Sequence, residues 1–179
     1  ASVLRLGYLN RYDGWEVAGA VAAFARRHPR MTVTSVAGSH DTLRELLLSG
    51  QVDLTFSDRR RTLHPEAVNL PLFVGYDYVE VSEASPLAWR ERVTAADLAG
   101  GTCVLIAAPD QEEVERAYFQ DTMGFHCDVT FARTLDEARM TVAGGRAFLP
   151  VETRGREGRT GSVIRRIPLF GADGAHLRH

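Results

Sequence analysis

Apolar and polar residues alternate over residues 3–9, with Leu4, Leu6 and Tyr8 on one face, which predicts a strand. Asp13-Gly14-Trp15-Glu16 then has the spacing of a capping box: the Asp carboxylate accepts from a free backbone N–H and the Glu reaches back. Apolar residues at 17, 18, 21, 24 and 25 form the stripe of a one-faced helix. Arg26, Arg27 and His28 suit its negative carboxyl end, and Pro29 stops it. A strand over 31–37, a helix over 41–49 closed by Gly50 and a short buried strand over 52–56 complete a β-α-β-α-β series. Helical crossovers between strands predict a parallel sheet with helices on its faces.

From residue 67 the pattern changes. Leu70, Leu72 and Val74, then Tyr76, Tyr78, Val79 and Val81, read as one long extended run to Ser82, broken near Gly75. Such a run is what a crossing between two lobes requires. Beyond it, Thr94-Ala95-Ala96-Asp97 caps a one-turn helix, followed by a strand over 102–108 and a helix over 111–123 stopped by Gly124. A strand over 128–132 leads to a second capping box, Thr134 to Glu137, and to a helix over 135–143 ended by Gly144-Gly145. Residues 147–151 read as a buried strand, 154–161 as a polar loop, and 162–169 as a strand returning to the first lobe.

The chain has 179 residues, 45% apolar and 25% charged, which excludes a disordered, collagenous or disulfide-scaffold protein. No apolar run is long enough for a membrane span, and the first residues lack the pattern of a secretory signal, so the expected location is cytoplasmic. Charge is uneven. Residues 1–75 carry nine arginines against seven acids, 76–150 carry six against thirteen, and 151–179 carry six against three. With the element pattern, this predicts a first lobe from 1–75 plus 152–179 and a second from 76–151.

All 21 basic residues are arginine, but the pI is near 6.3 and no basic run exceeds Arg59-Arg60-Arg61, so this chain is not expected to hold nucleic acid by itself. Cys103 and Cys127 form no CxxC pair and read as small buried thiols, with a redox switch as the alternative. Ser57-Asp58 has no GxSxG elbow, and the six histidines show no HExxH or other metal-ligand spacing. No catalytic site, cofactor or metal is expected.

The segments "LRLGYLN", "AFARRHPRMTVTSVAGSHDTLRELLLSGQVDLTF", "LPLFVGYDYVEVSEASPLA", "VTAADLAGGTCVLIA" and "TLDEARMTVAGGRAFLP" follow one another in a familiar order. Together they resemble the effector-binding domain of LysR-type transcriptional regulators over essentially the whole chain. "GQVDLTF" with "VAGGRAFLP" is the most specific part. Gly144-Gly145-Arg146-Ala147 departs from the family's usual Gly-Leu-Gly-Ile and puts a charge beside the interlobe strand. The resemblance implies an α/β, two-lobed type 2 periplasmic-binding-protein fold joined by two crossover strands. It also implies a small-molecule effector, and DNA bound through an upstream winged helix-turn-helix absent from this chain. A homodimer is implied, and a tetramer in the full-length protein, with the helix over 15–28 set against a second-lobe helix such as 111–123. The alternative on the same fold is a periplasmic solute-binding protein of a transporter.

In open α/β sheets, ligands bind beyond the carboxyl ends of the strands, where helix N-termini present free N–H groups. In the family these loops line the interlobe cleft. The resemblance therefore implies effector contacts from Asn10, Arg11, Ser39, Ser57 and Asp58 in the first lobe, and from Pro109, Asp110, Thr134 and Phe148 in the second. Each has a structural alternative. Thr134 is also a helix cap, Phe148 also a core residue, and Asp13 reads as a cap more than a contact. Asp58 favours a cationic or hydroxylated effector and Arg11 an anionic one, so the sequence leaves the effector's charge open.

Overall fold

A computed structural model describes residues 2–154 and 163–179. The chain divides into two compact units, Ala1–Phe73 and Val74–His179.

The first unit is a three-stranded parallel sheet in the order β2-β1-β3, built from β1 (Ser2–Leu9), β2 (Met31–Gly38) and β3 (Leu54–Phe56). β1 runs in register with β2 from Ser2 opposite Met31 to Leu9 opposite Gly38. Helix α2 (His40–Leu48) packs across β1 where the strand has Gly7; a Cβ there would lie 2.8 Å from Leu43 Cδ2. Gly50, at a φ of +69°, ends that helix in the left-handed region glycine favours. Helix α1 (Trp15–Arg27) differs from its capping-box expectation. Its N-cap is Gly14, at a φ of +82°, and the Asp13 carboxylate accepts from Trp15 N–H at 3.1 Å. No α1 residue is buried, so its apolar stripe is only half covered.

The second unit holds a four-stranded sheet in the order β5-β9-β4-β8: β4 (Tyr76–Ser82), β5 (Val93–Thr94), β8 (Leu149–Thr153) and β9 (Ile164–Phe170). Beside it, β6 (Thr102–Ile106) and β7 (Asp128–Ala132) pair in parallel, Cys103 opposite Val129. The Phe148 backbone joins the two, with Val104 N–H donating to Phe148 O and Phe148 N–H to Thr102 O, both at 2.9 Å. Thr94 forms its capping box with Asp97, and the Arg90 guanidinium and Thr94 N–H hold the Asp97 carboxyl below its ordinary range. Helix α4 (Leu135–Ala143) covers the sheet with Ala138 and Val142 fully buried. No helix among the described residues is long and apolar enough to cross a membrane.

Four expectations are corrected. The long extended run is a strand only from Tyr76; Val68, Leu70 and Leu72 are 88%, 73% and 68% exposed. No strand pairs with that stretch among the described residues, and Pro71 has no N–H to offer one. The helix expected over 111–123 is three pieces: a 3-10 turn (Pro109–Gln111), α3 (Glu112–Ala117) and a π turn (Tyr118–Thr122). The wider turn lets Phe119 O accept from Phe125 N–H at 2.9 Å and brings both rings into the core. The strand expected over 147–151 begins at Leu149, two residues later.

The last strand does not return to the first unit. β9 is hydrogen-bonded between β5 and β4, and Ile167 and Leu169 are buried in the second unit's core, so 152–179 belongs with that unit. After β9 the chain turns at Gly174, stacks His176 on Phe170 at 5.1 Å, and exchanges two backbone bonds between Gly75 and His179 at 2.9 Å. In the loop expected over 154–161, all but Arg154 lies outside the described residues.

Candidate effector site

In the first unit three parallel strands end at one edge, and that edge positions five of the candidate residues. Asn10 follows β1, and its N–H donates to Gly38 O at 3.0 Å, tying the loops after β1 and β2 together. Ser39 caps α2, accepting from Thr42 N–H at 3.2 Å. Ser57 and Asp58 follow β3, the serine exposed and the Asp58 side chain only 4% exposed.

The buried carboxylate organises this edge. Asp58 pairs with the Arg11 guanidinium, accepts from Arg60 N–H at 3.0 Å, and lies 2.7 Å from His40 Nε2. One acidic side chain thus ties the loop after β1, the start of α2 and the loop after β3. Burial, followed by the positive charges of Arg11, Arg60 and Arg61, lowers His40 to about 3. Because Arg11 already neutralises Asp58, the carboxylate does little to hold a proton on the ring. A neutral imidazole then donates its Nε2–H to the carboxylate. Tyr12 and Phe56, 5.2 Å apart, form the apolar floor beneath, and the Arg11 guanidinium lies 5.6 Å from the Tyr12 ring centre.

Sequence reasoning missed His40 and Arg60. The only available signal for His40 was its place directly after Ser39, at the first turn of a helix beginning at a strand end. With Asp58 committed to this buckle, Arg59 is the exposed charge of the Arg59-Arg60-Arg61 run.

The second unit has its own rim. Pro109 and Asp110 form an exposed 3-10 turn after β6. Thr134 caps α4, its hydroxyl accepting from Glu137 N–H at 3.2 Å. The reciprocal arm differs from a capping box, because Glu137 Oε2 accepts from Arg133 N–H at 2.8 Å and not from Thr134. Arg133 also donates to Ala107 O and pairs with Glu112 Oε1 at 3.1 Å, so it fastens the loop after β7 to the loop after β6. Arg133 was missed as well.

Phe148 is a correction. It is 6% exposed and sits edge-to-face with Phe125 at 5.8 Å in the second unit's core. Backbone pairing to β6 on both sides of the residue turns its ring inward, away from the rim. Chemically, each remaining rim presents hydroxyls and helix-start N–H groups, the equipment for holding a small polar molecule. No three His, Cys, Asp or Glu side chains among the described residues come together as metal ligands.

Residues 1–172 match the family model described as the LysR substrate binding domain. The chain is 29% identical over 85 residues to the HTH-type transcriptional regulator CysB of Burkholderia cenocepacia, covering 48% of this chain and 27% of that protein. It therefore spans about a quarter of that relative's length. A probable LysR family regulator's C-terminal domain from Rhodococcus sp. RHA1 superposes with a TM-score of 0.73 at 23% identity, covering 99% of this chain and 87% of that one. The reduced form of OxyR gives 0.74 at 21% identity, covering 99% and 82%. These likenesses show the two-lobed α/β fold.

Proposed function

The chain belongs to the LysR substrate binding domain family as a regulatory effector-binding domain, and from that premise we propose that its strand-end rims take up a small metabolite that controls transcription. Asn10, Arg11, Ser39 and Ser57 serve the effector from the first unit, and Pro109, Asp110 and Thr134 from the second. Asp58 acts through Arg11 and His40, as a positioning residue. DNA is bound by a winged helix-turn-helix elsewhere in the whole protein, which acts in the cytoplasm as a homodimer and, at full length, a tetramer. The reading of a transporter's solute-binding protein is set aside, because the family match is to regulators.

The observation that carries this reading is the pairing of Ser39 and Thr134. Each is a capping hydroxyl at the first turn of a helix directly after a parallel strand, one in each unit. The test is calorimetric titration with metabolites identified by native mass spectrometry of the purified protein. Ser39→Ala and Thr134→Ala should each weaken binding roughly threefold to hundredfold, as expected for one lost hydrogen bond to a neutral or charged group. Wild-type affinity in both variants overturns the assignment. Sedimentation at micromolar concentration should show a species larger than the 19.7 kDa protomer; a pure monomer counts against the dimer.

A further inference from the structure

At the opposite end of β6 and β7 from Pro109 and Thr134 lies a pocket of about 430 Å³. Its polar lining is Gln120, Asp121, His126, Cys127 and Asp128. Both cysteines meet here. Cys103 on β6 and Cys127, just before β7, turn into the same core cluster; Cys103 is fully buried and Cys127 half-buried where it reaches the pocket. Asp128 N–H donates to Gly101 O at 3.0 Å, which keeps Cys127 beside the start of β6.

The two thiols are unequal. Burial, and then hydrogen bonding to Cys127, push Cys103 well above its ordinary value, so it stays an S–H donor. That donor pulls Cys127 below its ordinary value, against its own partial burial and the Asp128 charge. The outer sulfur is therefore the better nucleophile at neutral pH.

We propose that Cys127 is a thiol–disulfide exchange site for a small disulfide bearing amino groups, with Cys103 as its buried positioning residue. The Cys127 thiolate attacks one sulfur of the incoming disulfide, and that S–S bond breaks. Its electron pair leaves on the second sulfur as a thiolate, which takes a proton from water. A new S–S bond joins Cys127 to the first half. The incoming disulfide is the oxidant: one half departs reduced, and Cys127 is left as a mixed disulfide. Asp121 and Asp128 favour ammonium groups and repel carboxylates. Cys103 does not resolve the adduct. It is a buried, protonated thiol in register with Val129, so Cys127 is its diagonal neighbour.

The experiment treats the full chain with cystamine, or with the anionic dithiodiglycolate, and follows intact mass and peptide maps. One cysteamine adduct should form on Cys127, several-fold faster than the anionic adduct, with the gap closing at high salt. Cys127→Ser should take none. Cys103→Ala keeps a small apolar group in the core and should move the pH–rate profile of Cys127 to higher pH. An adduct on Cys103, an internal disulfide, equal rates for the two charges, or no adduct where the denatured chain is labelled overturns the proposal. An unmoved profile in Cys103→Ala removes Cys103 from it.

Discussion

The two units solve the burial of charge in opposite ways. In the first, the buried apolar residues among those described are Leu6, Leu9, Leu43, Val52 and Phe56, and the buried charge, Asp58, sits at the strand-end edge tying loops together. In the second, which holds most of the described buried apolar residues, Glu80 is 0% exposed and accepts from Arg139 Nε at 2.8 Å and Nη2 at 3.0 Å and from Arg166 Nη2 at 3.0 Å. One carboxylate fixes the strand-end loops of its unit; the other joins β4, α4 and β9 inside the fold. The difference teaches that the same chemistry orders loops where the core is thin and architecture where it is thick.

The largest effect expected is from Glu80→Ala. It leaves two guanidiniums facing each other, Arg166 with a side chain only 5% exposed, and should cost about 3–5 kcal/mol in chemical denaturation. A cost below about 1 kcal/mol would erase the contrast between the units. Asp58→Asn should cost less, about 1–3 kcal/mol, because the Arg11 side chain is 20% exposed where that of Arg166 is 5%. Hydrogen exchange should rise in the loops after β1 and β3 while β4 and β9 keep their protection; exchange rising equally in both units breaks the comparison.

The caps sharpen it further. Thr134→Ala and Ser39→Ala should each destabilise by about 1 kcal/mol, thermal unfolding being the readout. Thr134 should be the costlier, since α4 buries Leu135, Ala138 and Val142 where α2 buries only Leu43. The smallest effect is in pH. His40 has a folded value of about 3 against an ordinary 6.5, so the unfolded chain binds the extra proton between them. The stability from neutral His40 is present above pH 6.5 and is lost as pH falls toward 3. At neutral pH the loss is small, because the ring is mostly unprotonated in both states, and it grows as the pH falls. His40→Gln, which can still donate to Asp58, should flatten that slope; an NMR titration of the ring midway near 6.5 would sink this account.

Local chemistry was legible where it stood alone. Thr134, the apolar spacing after it and Gly145, at a φ of +78°, fix α4 over Leu135–Ala143, the span the pattern predicts. β7 likewise matches its alternation, Asp128–Ala132. What the pattern hid was partnership. Residues 67–75 look like a strand, yet a strand needs a neighbour. The apolar residues of 162–169 fit either lobe, and only hydrogen bonds to β4 and β5 choose. The Phe119–Phe125 packing that opens the π turn spans a bend no helical period encodes. At the site, strand-end loops and capping hydroxyls were readable because parallel topology places them. His40 was not, since its role depends on Asp58, eighteen residues away.

The Glu80 cluster has a mechanical meaning as well. α4 follows its cap Thr134 and carries Arg139 little more than one turn later, where the guanidinium is bolted through Glu80 to Arg166 on β9. A helix with so short a free end cannot bend to absorb a pull at its tip. Through these bonds the first turns of α4 are tied to β4 and β9, so a contact at one edge of the unit bears on its central sheet. The buried ions behave as a fulcrum, and α4 as the short arm of a lever.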